Sequence, residues 1–248
     1  MNTSNLVIGM GAVGKALYSI LKEFYPTQKL DLQETTIQLP IDVIHICFPY
    51  KVDFEEEVME YIKKFKPKFV VIHSTVKVGT TRNIANASKT RVLHSPVIGQ
   101  HDSLRIGLLT FDKWVGGLTY SASLRIKKLL QTTGIKCKIK SSPEVCELAK
   151  LFSTYRYAIS IARAQEEAKI CKQIGVDFKE VSQDFIKMYN KGYEKLGMDW
   201  VKMPNTYPGV IEGHCLLPNL EILKTQYPNM IFPKAIIESN NRTKHESH

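Results

Sequence analysis

The chain has 248 residues, of which 44% are hydrophobic and 23% charged, values typical of a globular protein with a substantial core. Its five cysteines are odd in number and lack CxxC spacing, which argues against a disulfide framework or a metal site and favours reduced thiols in the cytoplasm. No apolar run approaches the ~20 residues of a membrane span, so we predict no membrane association. The net charge of +10 comes from scattered lysines, which favours a solvated basic surface that attracts anionic ligands and does not indicate nucleic-acid binding.

Strand and helix patterns alternate through the first part of the chain. Short apolar segments that predict strands occur at 6–8, near 30, and at 41–48, 69–72, 92–93, 114–117 and 136–139. Segments with helical spacing occur between them at 15–24, 54–65, 79–87 and 121–132. Short strands that alternate with helices of ~10–15 residues predict βαβ units and a mostly parallel sheet.

After Pro143 the pattern is helical. One long helix is predicted over 144–175, with Ser142 as its N-cap and Gly175 as its C-cap, and a second helix over 178–196. The fold is therefore predicted as α/β, an N-terminal Rossmann-type doubly wound parallel sheet followed by a smaller all-α domain. The predicted domains are 1–141 for dinucleotide binding, 142–238 for substrate binding and dimerisation, and 239–248 as a flexible tail.

The long helix at 144–175 also suggests an oligomer. Its apolar residues form more surface than the short C-terminal segment is expected to cover. Because an uncovered apolar helix face is a common symmetric interface, we predict a homodimer through this helix.

A glycine-rich turn follows the first predicted strand and opens the first helix. Gly9, Gly11 and Gly14 form a GxGxxG pattern, which in this context indicates a dinucleotide-binding turn. Gly9 permits the tight turn, Gly11 lets the backbone approach a pyrophosphate, and Gly14 allows close packing of helix and sheet. The backbone at Ala12 and Val13 begins the helix, whose N-terminus favours the anionic phosphates.

The ribose of such a cofactor is expected to bind an acidic residue about 20 residues further on. Asp31 and Glu34 both qualify, and Asp31 follows Leu30 as it would at the end of the second strand. The choice between them stays open. An acid at this place favours NAD over NADP, and no arginine stands nearby to hold a 2′-phosphate.

Six further segments resemble the nucleotide-sugar 6-dehydrogenases, which include the UDP-glucose, GDP-mannose and UDP-N-acetylmannosamine dehydrogenases. The order of these segments agrees with that family along most of the chain. They are DVIHICFP at 42–49, STVKVGTT at 74–81, HSP at 94–96, ELAKLF at 147–152, QEEA at 165–168 and GHCL at 213–216. The same core is shared with the wider group of 6-phosphogluconate and β-hydroxyacid dehydrogenases.

The resemblance implies roles for individual residues. Phe48, Pro49, Ser74 and Thr75 are expected at the cofactor, with Thr75 also at the reaction centre. The catalytic residues implied are Lys150, Thr154, His214 and Cys215. The substrate contacts expected are His94, Ser95, Glu147, Lys150, Gly213 and His214.

This sequence also departs from the family pattern. Val97 stands where the family has glutamate, Thr154 where it has asparagine, and Asn219 close to where it has aspartate after the cysteine. A segment that matches the family's third domain, which holds the nucleotide part of the substrate, is not seen after Cys215. We therefore expect a small polar, anionic and sugar-like substrate rather than a nucleotide sugar.

Three hypotheses about the chemistry remain open from the sequence. The first is NAD-dependent oxidation of an alcohol in two steps to a carboxylate, through a thiohemiacetal and a thioester on Cys215. The second is a two-electron dehydrogenase of the β-hydroxyacid type, which uses Lys150 and needs no cysteine. The third is a paralogue that binds the dinucleotide and does not catalyse a reaction.

Overall fold

The structure of the protein is a computed structural model that describes residues 3–31, 36–99, 103–213 and 215–246. The chain divides into two compact units, Met1–Lys150 and Leu151–His248. Because the division falls inside the long helix, one element contributes residues to both units.

A seven-stranded sheet forms the centre of the first unit. Its strands are β1 (Asn5–Ile8), β2 (Thr27–Leu30), β3 (Val43–Ile46), β4 (Phe69–Ile72), β5 (Arg91–His94), β6 (Lys113–Gly117) and β7 (Cys137–Lys140). They are arranged in the order β2-β1-β3-β4-β5-β6-β7, and every neighbouring pair is parallel except β5 with β6. The α/β fold with a mostly parallel sheet, which the alternating pattern predicts, is confirmed.

Helices cover both faces of this sheet. The helices of the first unit are α1 (Ala12–Leu21), α2 (Phe54–Phe65), α3 (Thr80–Ser88), α4 (Leu104–Thr110) and α5 (Tyr120–Thr132). Side chains alternate along each strand, so Val7 joins one buried apolar cluster while Leu6 and Ile8 join the other. Strands β1 and β3, inside the sheet, are buried along their whole length, which is why they appear in the sequence as mainly apolar runs.

The second unit is helical. It contains the greater part of α6 (Pro143–Ile174), a π-helical turn (Lys179–Asp184), α7 (Phe185–Lys195), a 3₁₀ turn (Asp199–Val201), α8 (Leu216–Gln226) and α9 (Ile231–Glu246). Ala158 and Ala162 of α6 pack with Ile211, Leu220 and Ile236 in its apolar core. Within the described part of the chain, no helix has the length and apolar character that crossing a membrane requires.

The flexible tail predicted for 239–248 is not what the structure shows. Helix α9 continues to Glu246, and Ser239 and Asn240 are buried within it. The polar composition suggested a solvated tail, but these two side chains have buried hydrogen-bond partners on other elements. A polar sequence was therefore compatible with a packed helix.

A buried lysine lies at the carboxyl end of β5. Lys113 on β6 is 4% exposed, and its ammonium donates hydrogen bonds to the carbonyl oxygens of Ser95 (2.8 Å) and Pro96 (2.9 Å). Burial lowers the pKa of Lys113 from 10.5 to about 7. The folded protein thus releases a proton from Lys113 at a pH where the unfolded chain still holds it.

This difference predicts a pH-dependent stability. Between about pH 7 and 9.5 the unfolded state binds more protons at Lys113, so the free energy of unfolding rises with pH by about 3 kcal/mol. Lys113→Met removes this contribution, whereas Lys138→Met, at a lysine whose side chain is 62% exposed, keeps it. Urea denaturation of the three proteins across this range measures the effect. Parallel curves for the wild type and Lys113→Met would contradict it.

Candidate functional site

The glycine turn brings three elements of the first unit into close contact. Gly9 has φ +88°, and a Cβ added there would lie 2.6 Å from the backbone nitrogen of Phe48. A Cβ at Gly14 would lie 1.9 Å from the carbonyl oxygen of Gly9. Both distances are too short for any side chain, so β1, α1 and the segment after β3 can meet here only with glycine at these positions.

Gly11 differs from the other two glycines because its surroundings are open. Apart from its chain neighbours, no atom of the described residues would lie within 4 Å of a Cβ at Gly11, and Gly11 is the N-cap of α1 without a side-chain hydrogen bond to the helix. The first turn of α1, which includes Ala12 and Val13, contains no acidic residue. This helix N-terminus therefore presents backbone N–H groups and positive dipole potential to open space, as an anion site requires.

The end of β2 lies beside the turn. The backbone nitrogen of Gly9 donates a hydrogen bond to the carbonyl oxygen of Leu30 (2.9 Å). Asp31 follows directly and is exposed. Asp31 therefore follows the residue that bonds to the glycine turn, while Glu34, the alternative, lies outside the described residues.

Two loops at the carboxyl ends of β3 and β4 are tied together next to the glycine turn. Ser74 Oγ donates to the carbonyl oxygen of Phe48 (2.6 Å), which fixes the segment that contains Pro49. Thr75 is half-buried, and its hydroxyl has no hydrogen-bond partner among the described residues. The four residues expected at the cofactor are therefore gathered at one edge of the sheet, with the Thr75 hydroxyl available for a ligand.

Glu147 on α6 is occupied by contacts within the first unit. It is fully buried, and one carboxylate oxygen accepts from Gly79 N (2.7 Å) while the other accepts from Thr81 N (2.9 Å) and Thr81 Oγ1 (2.6 Å). Burial raises the pKa of Glu147, while these hydrogen bonds act to lower it. Glu147 thus caps the N-terminus of α3, while its contact with a substrate stays a prediction.

His94 and Ser95 are also buried. His94 Nε2 donates to the carbonyl oxygen of Ser74 (3.0 Å), and burial lowers the pKa of His94 to about 4. Ser95 Oγ donates to the carbonyl oxygen of Trp114 (2.8 Å). Both side chains are fully buried and hold the strand ends together, while their contact with a substrate stays a prediction.

Lys150 is the last residue of the first unit and is half-buried. Its positive charge is among the causes that lower the pKa values of Lys113 and His94. Lys150 therefore lies near the carboxyl end of β5, where these two groups are found.

Cys215 belongs to the second unit and is the exposed thiol among the five cysteines. It is the N-cap of α8, and Gly213 just before it has φ +89°. Burial raises the pKa of the Cys47 thiol to about 12. His214, predicted beside the thiol, lies outside the described residues.

Thr154 and Asn219 form a pair in the second unit. The Thr154 hydroxyl donates to the carbonyl oxygen of Leu151 (2.9 Å) and accepts from Asn219 Nδ2 (3.2 Å). Thr154 is predicted to be catalytic, but Asn219 was noted only as a departure from the family pattern. Thr154 and Asn219, which both depart from the family pattern, are therefore neighbours in space, and the sequence alone does not reveal this.

No protein-family model matches the chain. In sequence it is similar to the UDP-N-acetyl-D-mannosamine dehydrogenase of Methanococcus vannielii, with 29% identity over 197 residues, which are 78% of this chain and 43% of that protein. The corresponding protein of Methanococcus maripaludis strain C7 is 30% identical over 176 residues, 69% of this chain and 38% of that protein. The chain thus spans about two fifths of the length of these curated relatives. The predicted resemblance is confirmed over this aligned part.

Solved structures show the same fold. The UDP-D-ManNAc dehydrogenase from Pyrococcus horikoshii matches with a TM-score of 0.81 and 17% identity, covering 98% of this chain and 68% of that chain. The 3-hydroxyisobutyrate dehydrogenase of Mycobacterium tuberculosis matches with a TM-score of 0.71 and 15% identity, covering 100% of this chain and 94% of that chain. At these identities the likeness concerns the fold alone.

Proposed function

We propose that this chain, which is a relative of the nucleotide-sugar 6-dehydrogenases, is an NAD-dependent dehydrogenase that oxidises an alcohol group of a small, anionic, sugar-like metabolite. The observation that carries the proposal is the glycine turn, where Gly11 faces open space at an uncapped helix N-terminus. The sequence similarity supports the reaction class. The chain's net charge of +10 favours an anionic substrate.

The residues at the turn fit a dinucleotide. The space that a Cβ at Gly11 would enter is empty, so a pyrophosphate can approach the first turn of α1. The exposed carboxylate of Asp31 is suited to accept hydrogen bonds from ribose hydroxyls and would repel a 2′-phosphate, which favours NAD over NADP. When bound, NAD⁺ accepts a hydride from the carbon that is oxidised.

Lys150 and Thr75 are assigned to the substrate oxygen. An ammonium group at Lys150 stabilises negative charge on the alcohol oxygen as its proton leaves, and a neutral amine there accepts that proton. The hydroxyl of Thr75, for which the described residues provide no hydrogen-bond partner, is a donor for the same oxygen or for an ordered water. Together they orient the alcohol and move one proton.

Cys215 supports a second oxidation step. Its thiolate adds to the carbonyl carbon of the aldehyde product and forms a thiohemiacetal. Loss of a second hydride gives a thioester, and water then releases the carboxylate and returns the thiol. The whole reaction converts one alcohol, two NAD⁺ and one water into one carboxylate, two NADH and three protons.

A two-electron reaction of the β-hydroxyacid type is the second candidate. It is favoured by the fold match to 3-hydroxyisobutyrate dehydrogenase, of which this chain covers 94%. It is also favoured by two departures from the family pattern: Thr154 stands where the family has asparagine, and Asn219 stands close to where it has aspartate. In that reaction Lys150 acts alone on the hydroxyl and Cys215 is not needed.

Turnover assays separate the two candidates and test the proposal. Wild-type protein with NAD⁺ and a panel of sugar-derived acids and 3-hydroxyacids is expected to produce NADH, and Lys150→Ala is expected to lose at least ~10²-fold in kcat. In the four-electron reaction two NADH form per carboxylate, and Cys215→Ser stops at the aldehyde. Unchanged turnover by Cys215→Ser establishes the two-electron reaction. Absence of turnover on the whole panel, together with absence of NAD⁺ binding, would overturn both.

Gly11→Ala tests the cofactor site directly. The added methyl group meets no protein atom, so the fold is expected to be unchanged, but it fills the space proposed for the pyrophosphate. NAD⁺ affinity measured by calorimetry is expected to fall at least ~10-fold, or about 1.4 kcal/mol. Gly192→Ala on α7, where a Cβ also meets no atom, is the matched control and should bind like the wild type. Equal affinity of Gly11→Ala and wild type would contradict the site.

We also propose that the chain forms a homodimer through 144–175. Ile170 and Ile174 on α6 are 54% and 69% exposed, which leaves apolar surface for a second copy to cover. Light scattering is expected to give the mass of a dimer. A monomer at micromolar concentration would contradict the proposal.

A further inference from the structure

A buried amide on α9 holds the backbone of Ile211 in the second unit. Asn240 Oδ1 accepts a hydrogen bond from Ile211 N (2.6 Å), and Asn240 Nδ2 donates to Ile211 O (3.1 Å). Asn240 is only 2% exposed. The side chain thus pairs with one residue through both its donor and its acceptor, much as a neighbouring strand would.

A second buried amide, on α6, extends this arrangement. Gln165 Nε2 donates to the carbonyl oxygen of Gly209 (2.8 Å) and to Asn240 Oδ1 (3.2 Å). Gln165 Oε1 accepts from Ser239 Oγ (3.1 Å), and Gln165 is 1% exposed. Two helices that are far apart in the sequence therefore hold the segment 209–211 through hydrogen bonds from two buried side chains. We call Gln165 and Asn240 the amide clamp.

Such a clamp is stable only while it is complete. A buried donor or acceptor that loses its partner costs about 1–3 kcal/mol, whereas the same group exposed to water costs little. Both amides have partners at nitrogen and at oxygen. The segment 209–211 is consequently fixed in one position relative to α6 and α9.

The clamp lies shortly before the exposed thiol. Ile211 packs in the same apolar core as Leu220 of α8, and Cys215 lies between them at the start of that helix. Gly213, with φ +89°, provides the turn between the clamped segment and α8. Each residue spans at most ~3.6 Å of chain, so anchoring Ile211 on one side and α8 on the other narrowly limits where Cys215 can lie.

We propose that Gln165 and Asn240 are positioning residues that hold the 209–213 segment and thereby place Cys215 Sγ for attack on a carbonyl carbon. The catalytic part of this inference rests on the proposed function, in which Cys215 is the nucleophile. The mechanical part, restriction of Cys215 by the clamp, does not. A displacement of ~1 Å at a nucleophile is enough to lower the rate ~10²-fold.

The mechanical part is tested by mobility at Cys215. A nitroxide spin label attached to Cys215, the exposed thiol, is expected to give a restricted spectrum in the wild type and a markedly narrower one in Asn240→Leu. Leucine has the same branching and the same number of side-chain heavy atoms as asparagine but makes none of the hydrogen bonds. Asn241→Leu, at the exposed neighbour on the same helix, is the matched control and should match the wild type. A Cys215→Ser background establishes that the signal comes from this thiol.

Hydrogen exchange gives the location of the effect. The amide of Ile211 is expected to exchange at least ~10-fold faster in Asn240→Leu, with α6 and α7 unchanged. Gln165→Met should produce the same change, and the double variant should be no worse than either single one because the two side chains act as a unit. Gln165→Met also serves if Asn240→Leu does not fold. Faster exchange spread evenly over the second unit, or an unchanged spin-label spectrum, would overturn the inference.

Kinetics test the catalytic part separately. On the aldehyde, Asn240→Leu is expected to lower kcat at least ~10-fold while KM for NAD⁺ stays at the wild-type value, because the cofactor residues belong to the first unit. If mobility changes and kcat for carboxylate formation does not, the assignment of Asn240 as a catalytic positioning residue is overturned. If the wild type shows no turnover at all, the proposed function fails, and the spin-label and exchange results still decide whether the clamp restrains Cys215.

Discussion

The close approach of Gly14 to Gly9 is the contact on which the first unit depends. Only 1.9 Å would separate a Cβ at Gly14 from the Gly9 carbonyl oxygen, so α1 packs directly against the turn that follows β1. The same turn touches the backbone of Phe48 after β3, and it receives the end of β2 through the bond from Gly9 N to Leu30 O. This contact leaves Gly11 at an open, uncapped helix N-terminus with Asp31 beside it. The proposed site for a dinucleotide is thus a consequence of how the first strands and the first helix pack.

Around this turn, polar groups inside the first unit hold the loops that the cofactor would contact. Ser74 ties the loop after β4 to the one after β3, and His94 ties β5 to Ser74. Glu147 caps α3 from α6. These residues resemble family motifs, yet in this chain their side chains are used for structure. Thr75, whose hydroxyl lacks a partner among the described residues, is left for chemistry.

The sequence was sufficient for the parts of the fold that periodicity and glycine define. Apolar runs such as 69–72 became strands buried on both faces, and the GxGxxG turn has the backbone geometry that its glycines indicate. It was insufficient where burial decides the role of a polar side chain. A motif match does not reveal that the side chains of His94, Ser95 and Glu147 are fully buried and hydrogen-bonded within the first unit. The segment 239–246 was predicted as a tail because its residues are polar. The buried partners of Ser239 and Asn240 come from distant parts of the chain, so the local sequence does not reveal them.

The departures from the family pattern also acquire a physical meaning. Thr154 and Asn219 were separate anomalies in the sequence, but they share a hydrogen bond in the second unit. A pair of neutral side chains there keeps a polar contact without the negative charge of the aspartate that the family has nearby. This difference bears on how Cys215 is used, because the thiol and Asn219 belong to the two ends of the same first turn of α8.

The most direct test of the account is hydrogen exchange of the wild-type protein with and without saturating NAD⁺. We expect that NAD⁺ slows exchange in the first turn of α1, around Gly11 to Gly14, and in the loops at Phe48 and Thr75, whereas NADP⁺ at the same concentration protects them less. Two results would contradict the assignment of the glycine turn as the cofactor site. The first is that NAD⁺ does not change the exchange rates of these segments, and the second is that NAD⁺ protects only other parts of the chain.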